Sequence, residues 1–479
     1  MAKKVSTRKS ASTSKRGAAA AAALKKSRRA AKEELGSGDA NALNQYTSKV
    51  CQEVVRKIRV KTGDPYVCTL GKAEGLVVGL PVPSLSFEIL LQSNVLPLGR
   101  AIQLVGVEKV CKSGFCFEVV RWFREANGFG CLLEHESKFS AEWARSIIGW
   151  DDPNAMAHIP CDSIDDWQSK MQLVLTDVKR EMRGTNSDPG LGKTWPLAVI
   201  VDSVMGKPTV ETIARIEKTG HAGKGWPDEA RSITMFVRKI TTDLARWPFL
   251  LLMVNHLKPY IDPKTQAKIR NKPGGKGLNF HESYELEMNW GRGGRSKSMI
   301  RLVDRTGMRL RMTCANASFG EHGREIPVTV WMWQEEADKP VSEEYDWRQV
   351  TRWDWHGSTV EFLLRESSVD GGFTAKKIKE IVNLQKLSNA RRVYAQALGI
   401  PKSEAQPFDV VGKMIYQNKD MRKALRRLFG VKVWKIFRPG VSFDKQIQEV
   451  KRKIVQRKPR TVKKVSKDAE KDTSPPVTE

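Results

Sequence analysis

Gly106-Val107-Glu108-Lys109-Val110-Cys111-Lys112-Ser113 matches the pattern G-x-x-x-x-G-K-[ST] except that a cysteine stands where the second glycine belongs. In that pattern backbone N–H groups wrap phosphate oxygens, the lysine reaches the outer ones and the hydroxyl holds Mg²⁺. Gly106, Lys112 and Ser113 survive, and Lys109 and Cys111 complete the candidate nucleotide contacts. The flanks support the reading. AIQLV (101–105) has the composition of a buried strand, and Phe115, Val119, Trp122 and Ala126 then recur at helical spacing. A strand, a tight loop and a helix N-terminus together make an anion site. Cys111 is the departure: its Cβ crowds phosphate or strains a backbone that glycine tolerates. Nucleotide binding is expected, and the rate of hydrolysis is the open question.

The chain of 479 residues carries 82 Lys and Arg against 54 Asp and Glu, a net charge of +28. Basic residues crowd KKVSTRKS, STSKR and LKKSRRAAK near the start and KRKIVQRKPRTVKK near the finish. Such a surplus points to a polyanionic partner, nucleic acid above all. Hydrophobic residues make up 40%, enough for a substantial core. Seven cysteines (51, 68, 111, 116, 131, 161 and 314) form no C-x-x-C pair, which argues against a disulfide framework or a zinc site and suits a reducing compartment. The apolar run 249–254 is too short to span a membrane. The expectation is a soluble, cytoplasmic protein without a membrane partner.

Five segments are expected. Residues 1–40 read as a basic disordered tail and 41–90 as a helix and short strands, the helix at 42–60 using Leu43, Tyr46, Val50 and Val54. PYVCTL and LVVGL supply those strands. Residues 91–335 alternate strands with helices, the mark of a mostly parallel α/β sheet. Residues 336–445 look like a C-terminal domain with helices at 374–398 and 408–429, and 446–479 form a second basic tail.

Two strand ends carry further candidates. LAVIVDSV (197–204) ends in Asp202 and Ser203, where P-loop enzymes hold the magnesium water shell. CLLEHES (131–137) offers Glu134 and Glu136 as carboxylates able to activate water. SDPGLGKT (187–194) imitates a P-loop but leads into a strand rather than a helix, so it reads as a surface turn.

The order of these motifs resembles the RecA recombinase family. VPSLSFEILLQSNVLPLGRAIQLVG (82–106) is similar to the segment leading into that family's P-loop. The likeness runs on through IIGWDDPN, VIVDSV, EARSITMFVRKIT and LLLMVNHLK to PGGKGLNFHESYELEM, covering roughly residues 42–335. Asn255-His256 is closer to the phage UvsX-like branch, which suggests a viral origin. The resemblance implies a RecA-like P-loop ATPase core, with an N-terminal helix–strand oligomerisation segment and a mainly helical C-terminal region. It implies ATP and Mg²⁺ as cofactors, and a helical homo-oligomeric filament that coats single-stranded DNA and exchanges it into a homologous duplex. A recombination mediator or single-strand-binding protein is a candidate further partner. Carried over by position, Lys112 and Ser113 bind phosphate and Mg²⁺, Asp202 serves the metal, Glu136 activates water, and His256 senses the γ-phosphate and reports it to DNA.

Two loops are expected to contact DNA. The first, 206–227, offers Lys218 and Lys224 with His221 and Trp226. The second, 258–279, offers Lys258, Lys264, Lys268, Arg270, Lys272 and Lys276 to phosphates, with Tyr260 and Ile269 as stacking groups. Gly274 and Gly275 there allow close backbone approach.

Three features depart from the family's pattern: Cys111, the absence of a lysine pair near RLRMTCANASF (309–319), and a basic rather than acidic C-terminal tail. Arg309 or Arg311 could stand in for the lysines, although arginine's planar fork is no direct replacement. The first two bear on ATP chemistry and predict slow or lost hydrolysis, leaving a non-hydrolysing DNA-coating protein on the same scaffold as the competing reading. The third predicts salt-sensitive DNA association.

Overall fold

The computed structural model describes residues 40–62, 77–183, 194–221, 226–261, 268–273, 276–318, 321–336, 347–366 and 412–449 apart from 414, 444 and 448. The expected tails at 1–39 and 451–479, the PYVCTL strand, the helix at 374–398 and the turn at 187–193 lie outside the described residues. Two units separate. One, Met1–Leu76 with Lys451–Glu479, contributes the helix α1 (Ala40–Thr62), close to its expected span. The other, Val77–Val450, holds everything that follows.

β1 (Val78–Pro81) leads into α2 (Leu85–Leu91), whose first turn is capped by Ser84 Oγ accepting the Phe87 N–H at 3.3 Å. β2 (Val95–Pro97) returns beside β1, and β3 (Arg100–Gly106) enters the central sheet. There follow α3 (Lys112–Glu125), β4 (Phe129–Glu134), α4 (Ala141–Ile148), β5 (Met156–Pro160), α5 (Ile164–Arg183) and β6 (Leu197–Asp202). Next come α6 (Val210–Thr219), α7 (Trp226–Leu244), β7 (Phe249–His256) and a hairpin of β8 (Lys258–Ile261) and β9 (Lys268–Asn271). The sheet then extends through β10 (Tyr284–Trp290), β11 (Met299–Arg301), β12 (Arg305–Ala317), β13 (Glu325–Glu336) and β14 (Trp347–Trp353). α8 (Trp355–Glu366), α9 (Lys419–Leu428) and β15 (Lys435–Ile436) complete the described chain.

The sheet runs β14-β13-β12-β10-β3-β7-β6-β4-β5, with β11 beside β12. The six strands from β10 to β5 are all parallel, while β12, β13 and β14 extend it antiparallel. Parallel strands covered on both faces read as unbroken apolar runs, and FLLLMV and LAVIV are buried along their whole length. On one face Trp167, Met171 and Leu175 of α5 and Ile233, Val237, Ile240 and Leu244 of α7 pack against β4, β6 and β7.

The other face differs from the expected domain boundary at 335/336. Residues on both sides of that point share one sheet, since β14 pairs with β13 from Val330↔Trp353 to Glu336↔Trp347. The tryptophans of WRQVTRWDWH serve the core. Trp353 and Trp355 stack at 5.3 Å and meet Phe115 of α3, and Trp355 meets Phe87 and Trp122 as well. Fully buried Glu118 accepts the Trp122 and Trp355 indole N–H groups at 3.0 and 2.9 Å, giving both polar tips a partner. The expected 408–429 helix is interrupted: 408–411 lie outside the described residues, and Asn418 breaks the rest and caps α9, whose Arg426 grips buried Glu88 of α2 from Nε at 2.6 Å. β15 adds to β1.

Candidate nucleotide site

The parallel register brings the ends of four strands level. Gly106 lies opposite both His256 and Met288, and Glu134 lies opposite Asp202. Beyond the carboxyl ends of such strands is where open α/β sheets bind ligands. Gly106 is required by packing, because a Cβ there would lie 2.4 Å from the Met288 carbonyl oxygen.

The loop from Gly106 leads to α3, whose N-cap is Cys111 with φ 61° and ψ 33°. This is the left-handed region that glycine adopts freely and a cysteine adopts at a cost. Exposed Lys109 is also left-handed, at φ 63°. Cys111 therefore holds a backbone conformation better suited to the glycine of the pattern. Lys112 is buried, and its Nζ donates to the Gly106 carbonyl at 3.0 Å and the Val107 carbonyl at 2.7 Å. Burial lowers its ionisation range, opposed by the charges of Asp202 and Glu136.

Ser113 Oγ donates a short hydrogen bond to Asp202 Oδ2, joining the loop to the end of β6. Burial raises Asp202 above the usual carboxylate range, with the Ser113 hydrogen bond pulling the other way. Lys112 Nζ also lies 3.4 Å from His256 Nδ1. An ammonium only donates, so Nδ1 accepts, leaving the Nε2 N–H for Glu136 Oε1 at 2.9 Å. Glu136 further accepts Ser203 Oγ at 3.0 Å and Lys138 Nζ at 3.1 Å. The His256 hydrogen bond leads in holding Glu136 down to about 2. Between the two candidates on CLLEHES, Glu136 joins this cluster, while Glu134 accepts the Lys138 backbone N–H and faces His158.

Two residues enter that carried no role in the sequence. Ser203 was visible only as the neighbour of Asp202, and it holds Glu136. His135 is buried beneath them, with Nδ1 2.7 Å from the Ser203 carbonyl and Nε2 3.2 Å from the Ser163 carbonyl. Its position directly before Glu136 was the one available signal.

The proposed DNA segments take other forms. Residues 210–219 of the first are the helix α6, capped by Thr209, with Lys218 exposed in its last turn and His221 exposed beyond it. Of the second, the backbone of Lys258, Lys268 and Arg270 belongs to the β8–β9 hairpin, and Lys276 opens a 3₁₀ turn. Lys272 turns inward, donating to Gln103 Oε1 at 2.6 Å and Glu285 Oε2 at 2.8 Å. Lys224, Lys264, Gly274 and Gly275 lie outside the described residues, as do the side chains of Trp226, Tyr260 and Ile269. Among the described residues Asn255 connects the site to the chain just past the hairpin: its Nδ2 donates to the Pro273 carbonyl at 2.7 Å, and its Oδ1 accepts the His256 N–H at 2.9 Å. At the expected place of the lysine pair, Arg311 is held by the Trp290 carbonyl and Glu325, whereas Arg309 is exposed.

Among the described residues no helix is long and apolar enough to cross a membrane, and no group of three or more His, Cys, Asp or Glu side chains forms a protein-only metal cage. No protein-family model matches the chain. It is 20% identical over 236 residues to protein RecA of Rhodopirellula baltica, covering 49% of this chain and 56% of that protein. It is 22% identical over 243 residues to protein RecA of Rubrobacter xylanophilus, covering 50% and 64%. It is also 22% identical over 252 residues to protein RecA of Clostridium novyi, covering 51% and 64%. The chain thus spans less than two thirds of the length of these relatives. Weak as each match is, the similarities together support a RecA-like family for this chain.

Proposed function

We propose that the chain is a RecA-like recombinase. It binds ATP and Mg²⁺ at 106–113, forms nucleotide-dependent filaments on single-stranded DNA and promotes homologous pairing and strand exchange. The observation that carries the reading is the meeting of Lys112, Ser113, Glu136, Asp202 and His256 beyond the carboxyl ends of the central strands, from positions up to 144 residues apart. The donor set fits the ligand. Ser113 and Asp202 present the oxygen donors Mg²⁺ takes, and bound Mg²⁺ would neutralise developing phosphate charge. Among the described residues, half-buried Asp202 takes its side-chain hydrogen bond from the Ser113 hydroxyl and is an oxygen donor suited to a cation.

The resting geometry also favours slow turnover. A general base works best when its pKa approaches the operating pH, and Glu136 held near 2 is a weak one. Lys112 is engaged with its own loop carbonyls and must turn to reach phosphate. Transfer of the His256 N–H from Glu136 to a γ-phosphate would strengthen the base and, through Asn255, alter the hold on Pro273. Lys218, Lys258, Lys268, Arg270 and Lys276 are the proposed phosphate contacts for DNA, with Lys224 and Lys264 beside them in sequence.

The test is steady-state ATP turnover with and without single-stranded DNA, together with micrographs of filaments on that DNA. Turnover stimulated by DNA and abolished in Lys112→Ala is the expected result. DNA coating that ignores nucleotide overturns this reading in favour of a non-hydrolysing coating protein.

A further inference from the structure

Cys111 stands where the phosphate-binding pattern requires its second glycine, and it has a left-handed backbone. Its sulfur sits inside the first turn of α3. A Cβ built on Gly114 would lie 2.4 Å from Cys111 Sγ, 3.1 Å from Trp143 Cζ2 and 3.5 Å from Ile147 Cδ1. The first distance is far inside contact, so any side chain at 114 must displace the thiol. Space over Gly114 is thus shared between that sulfur and the α4 side chains, and only a hydrogen at 114 leaves room for all three.

We propose that Cys111 and Gly114 are a compensating pair. The glycine lost at 111 is regained one helical turn later at 114, so that the thiol packs into the helix and leaves the concave side of the loop to phosphate. Cys111 is accordingly a positioning residue for the nucleotide, acting through the path of the 106–113 backbone. The inference rests on the nucleotide reading of this loop and separates from it in the experiment.

Equilibrium binding of a fluorescent ATP analogue is measured with full-length wild type, Gly114→Ala, Cys111→Gly and the double variant, and thermal unfolding is followed for the same four proteins without nucleotide. In the wild-type background Gly114→Ala drives the thiol out of its niche and weakens nucleotide binding about tenfold or more, a coupling of the size expected for residues in contact. With Cys111→Gly as the reference, the same alanine costs less than about threefold, a difference that defines the pair. An equal cost in both backgrounds, or no cost in either, overturns the proposal. Absence of nucleotide binding in wild type and Cys111→Gly alike overturns the nucleotide reading instead. The pair is then decided by unfolding: a fall in Tm from Gly114→Ala that is at least halved in the Cys111→Gly background supports it, and an equal fall overturns it.

Discussion

At the residue scale, the site is a set of ionisable groups whose neighbours set their states. Glu136 is depressed to about 2 first by the His256 hydrogen bond, then by Lys138 and Ser203 against burial. A depressed carboxylate contributes stability above its unfolded range that is lost as pH falls through the folded value. His256→Ala therefore lifts Glu136 toward its ordinary range, and the acid-side loss of stability moves to higher pH, read from Tm against pH. If Glu136 has the proposed role, Glu136→Gln lowers kcat by about 10²-fold or more while the Kd for nucleotide changes little, because a general base acts in the chemical step and not in binding. Glu282 has the opposite sign. Burial raises it above the usual carboxylate range, with Lys272 opposing and Glu285 adding to the rise. A raised carboxyl binds more protons in the folded state, so stability falls as pH climbs from the unfolded value through the folded one. Glu282→Gln should flatten that fall, and an unchanged slope of Tm against pH would discount the cluster.

At the element scale, the helix that follows the nucleotide loop is clamped from behind. Phe115, Glu118 and Trp122 of α3 meet Trp353 and Trp355, which come from the end of β14 and the start of α8. Removing Trp355 deletes a buried aromatic and one of the hydrogen bonds to fully buried Glu118, whose Oε1 keeps Trp122 and Arg121 as donors. Trp355→Ala should cost about 3–5 kcal/mol of stability in denaturant unfolding. Asn255 beside the site holds the Pro273 carbonyl, two residues past the β8–β9 hairpin. Asn255→Ala is expected to leave nucleotide affinity nearly intact while removing the nucleotide's effect on single-stranded DNA affinity, measured by fluorescence anisotropy with and without ATP analogue. Much of this level was written in the sequence. The β6 and β7 strands carry continuous apolar runs, β3 is broken only by Gln103, and α3 shows its spacing in Phe115, Val119 and Trp122. The α6 helix was missed because VETIARIEKT sits between glycine- and proline-bearing stretches that read as a loop. Its Thr209 cap and Gly220 stop, at φ 69°, were the local signals for it.

At the scale of the whole molecule, net charge decides how the protein meets its partner. The surplus of +28 predicts that the affinity for single-stranded DNA falls steeply with salt. A variant lacking 1–39 and 451–479 should show a shallower slope of log K against log salt, and a slope that stays the same would place the phosphate contacts elsewhere. Charge of this kind is legible in composition because it needs no partner within the fold. So is a contiguous motif: Gly106 to Ser113, the Asp202 strand end and the Glu136 strand end each carry their chemistry in a few adjacent residues. What only the tertiary structure decided is which of those residues touch. Lys272 was counted among the DNA contacts, yet it faces Gln103 and Glu285, because three distant segments close around it. The tryptophans after β14 became core because β14 joined the sheet. Cys111 reads in the sequence as a defect. Its fit depends on where Gly114, Trp143 and Ile147 place their atoms, which local periodicity cannot specify, since packing distances are set by segments far apart along the chain.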